Sequence, residues 1–483
     1  MMGEKLQSYN KYDPKSIETY AKGLINKTFS EVIKEDQKSI YLISGDNSHI
    51  VSEDRYDYDM HIAGKEDKKN KGNLGQIIEE RYFHYKCNSD SRPDFHEAGV
   101  ELKVTPYKQN RDGSISAKER LVLTMIDYEQ VINEQFETGH FWTKSKLLLL
   151  IYYLYKPEIK QRIDYKIGFV SLFTPSKKDI VIIRQDYNII VDKIKAGKAH
   201  ELSEADTMYL SAAPKASSSK VRRSQPFSDI PAKPRAFAYK SSYMTFVLNN
   251  YIVPGKVTYE TIETDSDKPF EQYVAEKIDR YKGKSVDELA STFDLSKKQK
   301  NLESKIAFRI LGVTGNKAEE FAKANIVVKA IRIGKNGKIK ENMSFPTFKF
   351  KELIKEDWDD STFGNYLRET RFFFVVYKYD DMDVLRLKGC QFWNIPYDDL
   401  ENGVRPVWEK TVSILKNGLE FEIRDGKHYN NFPKQTESYI CHVRPHAQNS
   451  KDTYELPDGR QFPKQCFWLN NTYILSQLND ELK

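Results

Sequence analysis

Two carboxylates and a lysine stand close together in the stretch RPDFHEAGVELKVTP: Asp94, then Glu101, then Lys103. If the chain from Val100 is a strand, alternate side chains share one face. Glu101 and Lys103 then project together while Val100, Leu102 and Val104 pack behind them. Asp94, at the preceding turn, can return to meet Glu101. Such carboxylates are hard oxygen ligands suited to Mg²⁺, and the Leu102 carbonyl could supply a third. A metal held there polarises a scissile phosphate, lowers the pKa of bound water and stabilises the leaving oxygen. Lys103 would orient that water and offset charge building on the phosphorane. Taken alone, the pattern is common in charged proteins, and a surface ion pair on a half-buried strand is its more frequent explanation. The apolar residues alternating through it favour a built site.

The elements around this motif recur later in the chain. GVELKVTPYKQNRDGSIS from Gly99 pairs with NIVVKAIRIGKNGKIKEN from Asn325, each reading as a strand, a polar turn at Gly113 or Gly337, and a return strand. FETGHFWTKSKLLLLIYY from Phe136 matches WDDSTFGNYLRETRFFFVVYK from Trp358, a polar stretch that switches into an apolar strand. DYNIIVDKIKAG from Asp186 matches VWEKTVSILKNG from Val407, an amphipathic helix ended by glycine. Tyr209 opens YLSAAPKASSS as Tyr439 opens YICHVRPHAQNS, and RAFAYKSSYMTFVL from Arg235 answers QCFWLNNTYILSQL from Gln465. The order is the same in both halves, which points to an internal duplication. The expectation is two α/β domains of one fold, 1–253 and 269–483, joined by a linker over 254–268 around ETDSDK. The stretch from Pro214 to Pro234, rich in Ser, Arg and Pro, reads as a loop inside the first.

Bulk properties agree with this and narrow the class. A chain of 483 residues exceeds one ordinary core. The longest apolar run, Leu147 to Tyr155, is too short to span a bilayer as a helix and reads as a buried strand. No charged-then-apolar leader opens the sequence, and Cys87, Cys390, Cys441 and Cys466 lack zinc spacing or a disulfide framework. A cytoplasmic location is the expectation. The net charge of +6 permits a nucleic-acid partner without requiring one, since 76 basic residues are interleaved with 70 acids.

The chain resembles the GATC-specific type II restriction endonucleases of the Sau type, whose catalytic fold is shared with the mismatch-repair nicking enzyme MutH. Besides PDFHEAGVELKVTP, the resemblance is carried by SAKERLVL, GKAHELSE, RSQPFSDI, RAFAYKSSYMT, SFPTFKF, CHVRPH and CFWLNN, spread over nearly the whole length. It implies a mixed sheet flanked by helices, Mg²⁺ as cofactor, and cleavage of double-stranded DNA at GATC. By position it implies Asp94 and Glu101 as metal ligands and Lys103 as the catalytic lysine. A further glutamate on the preceding helix falls at Glu79 in GNLGQIIEERYF, with Glu80 facing elsewhere. A second lysine falls at Lys144, with Lys146 a close competitor. For DNA contact the resemblance nominates Lys215 in the PKA stretch, although Ala213 replaces an arginine expected two residues earlier.

Arg222 and Arg223 could hold phosphate or grip guanine edges, or simply sit in solvent. His84, His96 and His140 have no ligand spacing and read as structural or surface histidines.

Aligning the repeats on Lys103 and Lys329 sets Glu320 opposite Asp94, Val327 opposite Glu101 and Glu369 opposite Lys144. A metal site cannot keep its charge after Glu becomes Val, so the second domain is expected to be catalytically silent. Arg444, His446, Lys464 and Trp468 remain there as candidate DNA contacts, suiting a domain that binds a second DNA site as effector. One active site per chain implies that two chains act together on a palindrome. A strand-nicking repair enzyme is the first alternative, and a non-catalytic DNA-binding regulator the second.

Overall fold

The computed structural model describes residues 9–44, 73–85, 92–110, 112–216, 218, 220–253, 259–262, 268–315, 317–424, 427–449 and 451–483. Cys87 and most of the expected 254–268 linker lie outside the described residues. The chain divides into two compact units, one from residues 1–202, 207–258 and 322–324, the other from 203–206, 259–321 and 325–483.

The first unit is organised by β4, Leu148–Leu154, within the apolar run that the sequence marks as a buried strand. Leu148 to Tyr152 are fully buried. A strand covered on both faces must be apolar at every position rather than at alternate ones. It lies between β1 (Glu101–Gln109), which runs parallel to it, and β5 (Lys166–Phe173), which runs antiparallel. β2 (Ile115–Ala117) adds to the far edge of β1, giving the order β2-β1-β4-β5. Gly113, at φ +82°, sits in the turn that returns β1 to β2. A second sheet sets β9 (Arg235–Tyr239) between β3 (Leu121–Met125) and β6 (Leu210–Pro214), all antiparallel. Between β6 and β9 the chain makes an excursion containing a hairpin of β7 (Arg223–Gln225) and β8 (Ser228–Ala232).

Helix Lys177–Lys195 begins where Ser176 Oγ accepts the Asp179 N–H, carries Lys193 and Lys195 in its last turn, and ends before Gly197 at φ +70°. Its buried stripe is Ile183, Tyr187, Ile190, Val191 and Ile194, together with Asp186.

The second unit contains β10 (Ile326–Ile333), parallel to β12 (Arg371–Tyr379), which is antiparallel to β13 (Leu385–Trp393). Its other three-stranded sheet runs β11 (Met343–Ser344), β19 (Gln465–Leu469), β16 (Cys441–Pro445), with the unit's last strand at the centre, as β9 is in the first unit. Short hairpins of β14 (Phe421–Arg424) with β15 (Lys427–Asn430), and of β17 (Thr453–Glu455) with β18 (Gln461–Pro463), complete it. Helix Arg405–Asn417 ends at Gly418, φ +103°. Both units thus hold mixed sheets with helices against them. Strand senses and order correspond except for β2, which has no counterpart strand among the described residues of the second unit, and a register shift falls at Tyr152/Tyr153 in one and at Val376/Tyr377 in the other.

The three described cysteines are free thiols. No helix among the described residues is long and apolar enough to cross a membrane.

Candidate active site

A six-residue turn brings Asp94 back to Glu101. Phe95 and Val100 exchange both backbone hydrogen bonds, at 2.9 and 3.1 Å, and Gly99 closes the turn at φ +67°, a conformation that costs glycine least. Asp94 Oδ2 accepts the Leu102 N–H at 2.8 Å, and the Asp94 N–H donates to Glu101 Oε2 at 3.3 Å. The Glu101 carboxylate therefore holds the Asp94 backbone, and the Asp94 carboxylate holds that of Leu102, the next residue along β1. Glu101 is 2% exposed.

The opposing charge comes from two lysines. Lys103 Nζ donates to Glu101 Oε1 at 2.7 Å, and Lys144 Nζ lies 3.5 Å from the same oxygen. Lys103 shares the Glu101 face of β1, two residues on. Lys144 arrives on helix His140–Ser145, which leads into β4, whereas Lys146 is exposed beyond the helix end.

That helix is placed by residues sequence reasoning passed over. Glu134 Oε2 accepts the His140 N–H at 3.0 Å and so occupies the helix start. A Cβ on Gly139 would lie 2.6 Å from the Gln135 carbonyl oxygen and 2.8 Å from Glu134 Oε2, so no side chain fits there. His140 Nε2 bonds Thr124 Oγ1 at 3.0 Å, a structural contact with β3. Backbone proximity of this kind leaves no residue-type signature, and a glycine beside a helix start was the one available signal.

Burial, and next the negative charge of Glu101, push the Asp94 carboxyl up to about 6, although the Leu102 N–H and both lysines pull the other way. The two carboxylates supply oxygen donors of the kind a hard divalent cation takes. Among the described residues no three or more acidic, histidine or cysteine side chains form a complete metal cage. What is assembled is the pair, with the Leu102 carbonyl in the same segment.

Glu79 lies on a π-turn, Ile78–Tyr82, that continues helix Asn73–Ile77. It is half-buried, and one carboxylate oxygen lies 3.9 Å from where a Cβ on Gly75 would stand. Glu80 instead accepts from Gln76 at 3.0 Å. Single π-turns inside helices cluster at functional sites because the inserted residue re-aims its neighbours. His84 lies 3.5 Å from the buried Asp36, and exposed His96 lies 3.3 Å from Glu97.

Lys215, Arg222 and Arg223 are exposed on the β6–β9 excursion, and the Lys215 N–H donates to the Pro234 carbonyl at 2.9 Å to close its base. In the second unit the Arg444 guanidinium sits 5.0 Å from the centre of the Trp468 ring, with His446 5.4 Å from the same ring. Lys464 is engaged by Asp452 and is not a free basic contact.

The strand register of the second unit refines the comparison of the halves. Leu148 faces Glu101, and Phe372 faces Val327. Four residues before each lie Lys144 and Arg368, so Arg368 rather than Glu369 corresponds to Lys144. Arg368 is turned to Glu401 and the Trp358 ring. Glu320 accepts the Ile262 N–H at 3.0 Å. Lys329, half-buried with no acidic partner among the described residues, has its ammonium pushed down by burial.

Comparison with known proteins identifies the family. The family model described as DNA mismatch repair enzyme MutH matches residues 83–186, a window holding Asp94, Glu101, Lys103 and Lys144 and stopping short of Glu79. The type II restriction enzyme Sau3AI of Staphylococcus aureus is 38% identical over 471 residues, 87% of this chain and 95% of that one. DNA mismatch repair proteins MutH of Shewanella baltica and Vibrio vulnificus are 29% and 26% identical, each over 38% of this chain and 82% and 79% of their own. The MutH likeness is thus confined to part of the chain, while the restriction-enzyme likeness runs through both units. The chain belongs to the Sau3AI family of type II restriction enzymes, MutH-related site-specific endonucleases.

Proposed function

We propose that this endonuclease makes Mg²⁺-dependent double-strand cuts at GATC, using Asp94, Glu101, Lys103 and Lys144 of the first unit. The carrying observation is the Asp94–Glu101 pair with two lysine ammonium groups on one Glu101 oxygen. Asp94 and Glu101 would hold the metal, with the Leu102 carbonyl and Glu79 as further candidates. When bound, Mg²⁺ supplies Lewis acidity toward the phosphate and a more acidic water. Lys103 and Lys144, held beside Glu101, would orient the attacking water and offset charge on the phosphorane. Lys215, Arg222 and Arg223 hold the duplex.

Two arms test this reading. A plasmid with several GATC sites, digested with Mg²⁺ and with EDTA, is expected to give fragments ending at GATC only with the metal. Fragments mapping elsewhere, or persisting in EDTA, would overturn it.

The raised Asp94 carboxyl adds a second test. Its folded pKa of about 6 lies above the ordinary 3.8, so the protonated form is the one folding favours. Stability from this group is fullest below the ordinary value and is lost as pH rises through about 6. Metal-free Asp94→Asn is therefore expected to be more stable than the wild type at pH 7.5, by about 1 kcal/mol after allowing for solvent at this half-buried group. The rise in Tm that Mg²⁺ gives the wild type should vanish in the variant. An Asp94→Asn protein less stable without metal, or still stabilised by Mg²⁺, would count against the assignment.

The second unit, in this reading, is an internal duplicate that has lost its metal site and binds a further DNA site as effector. The recurring strand order supports common origin, Val327 at the Glu101 position supports the loss, and the Arg444–Trp468–His446 cluster supports DNA contact. Two chains then act together on DNA. Plasmids with two GATC sites should be linearised several-fold faster than one-site plasmids at low enzyme concentration; equal rates would remove the effector role.

A further inference from the structure

The β7–β8 hairpin carries a feature that its architecture does not require. Phe227, at its tip, is 73% exposed and adopts φ +63°, and Ile230 beside it is 54% exposed. Left-handed backbone is unfavourable for a bulky side chain, and glycine or asparagine would hold the turn at lower cost. Solvent exposure means that no core contact repays that strain.

The hairpin is nonetheless held rigidly. A Cβ on Gly197 would stand 2.5 Å from the Phe227 carbonyl oxygen, so the turn rests directly on the end of helix Lys177–Lys195. Buried Gln225 ties both strands to the neighbouring segment. Its Oε1 accepts the Ala199 N–H at 2.7 Å, and its Nε2 meets His200 Nδ1 at 2.9 Å and donates to the Ile230 carbonyl. Tyr128 Oη donates to the Lys233 carbonyl at 2.6 Å and fixes the base.

The comparable excursion of the second unit, β17–β18, is built the opposite way. Its tip is Pro457-Asp458-Gly459, with Leu456 and Phe462 fully buried and Arg460 paired to Asp458 at 2.7 Å. An exposed apolar tip is therefore a property of the first hairpin and not of the connection. On the excursion itself, residues 214–234, Lys215, Lys220, Arg222 and Arg223 are exposed against one acid, Asp229, while exposed Asp127, Glu129 and Glu201 lie on the segments that hold its base. Four cations against one acid on the projecting excursion favour a polyanion over an apolar protein face.

We propose that this hairpin reads DNA: its arginines hold phosphates while Phe227 and Ile230 press on base edges in a groove, where the thymine methyl is the apolar feature offered. The inference rests on the DNA-cleaving reading above and names the element that discriminates sequence.

The test uses full-length protein with Ca²⁺ in place of Mg²⁺, and 20-base-pair duplexes containing GATC, GAUC or a scrambled site. Phe227→Ala and Phe227→Asn are expected to bind the GATC duplex about tenfold more weakly, with scrambled-site binding unchanged and Tm not lowered, Phe227→Asn raising it because asparagine fits the left-handed turn better. The wild type should lose affinity when thymine is replaced by uracil, and the variants should lose less. Arg222→Ala should instead weaken all duplexes alike and lower the salt dependence by about one counterion. Variants that bind and cut as the wild type, or that lose affinity equally for every duplex, would overturn base reading by Phe227 while leaving the nuclease intact. A changed oligomeric state without DNA would reassign the tip to protein contact. A wild type that does not prefer the GATC duplex would defeat the GATC assignment itself, and this inference with it.

Discussion

Glu101→Gln leaves a folded protein that binds DNA and does not cut it. Glu101 is the most deeply placed group of the site, 2% exposed, with Lys103 at 2.7 Å and Lys144 at 3.5 Å from one of its oxygens. Glutamine keeps the shape and removes the charge. With Asp94 and Glu101 ionised against two ammonium groups, the wild-type cluster is balanced; the variant carries one excess positive charge. A divalent cation then meets one carboxylate instead of two. Loss of about 4 kcal/mol of transition-state stabilisation corresponds to a cleavage rate down on the order of 10³-fold. Binding of the phosphate backbone in Ca²⁺ should be retained or tightened, because the excess charge favours the anion. Plasmid cleavage and gel shift on the same preparation check both halves. Cleavage within tenfold of the wild type would remove Glu101 from the chemistry.

Asp186→Ala is expected to produce the largest loss of stability. Asp186, on helix Lys177–Lys195, is 1% exposed and accepts three backbone N–H groups: Met208 at 2.7 Å, Tyr209 at 2.6 Å and Leu210 at 2.9 Å. It ties the helix to the start of β6, the strand that leads into the Lys215 segment. Burial pushes its carboxyl up to about 6 while those three donors pull down, so at pH 7.5 it remains ionised and fully used as an acceptor. Alanine removes the desolvation cost of the charge but strands three buried donors, each worth about 1–3 kcal/mol when unmade. A net loss of about 3–5 kcal/mol follows. Asparagine, which keeps one acceptor oxygen but turns an amide toward a donor, should fall between. Urea denaturation at pH 7.5 reads this directly, and an unchanged midpoint for Asp186→Ala would show that the N–H groups find other partners.

How much of this was legible in the sequence depended on how local each arrangement is. Asp94, Glu101 and Lys103 could be read because a short turn and the two-residue strand period bring them together within a few positions. The run from Leu147 to Tyr155 announced β4 because burial on both faces removes polar residues altogether. The glycine-ended helices were legible from composition, and Gly197 and Gly418 both take positive φ. Lys144 was accessible only through family resemblance, since it reaches Glu101 through a parallel strand pairing that no local pattern encodes. Glu134 and Gly139 were missed because they act on a helix start through backbone contact. The equivalence of Lys144 with Glu369 was off by one because identity alone cannot fix register across a helix-to-strand junction; hydrogen-bonded pairing can. Phe227 was invisible as a feature, because exposure and a left-handed φ belong to the fold and not to the letter.

The parallel pairing of β1 with β4 sets Glu101 directly against Leu148, on segments some fifty residues apart along the chain. Lys144 approaches Glu101 only when that pairing has closed, and non-local parallel strands are among the slower contacts for a chain to find. Chains still emerging from the ribosome, and partly unfolded ones, therefore carry the acids and lysines without the cluster. Topology thus places assembly of the candidate site after closure of the β1–β4 pairing, once the chain has been made through Leu154.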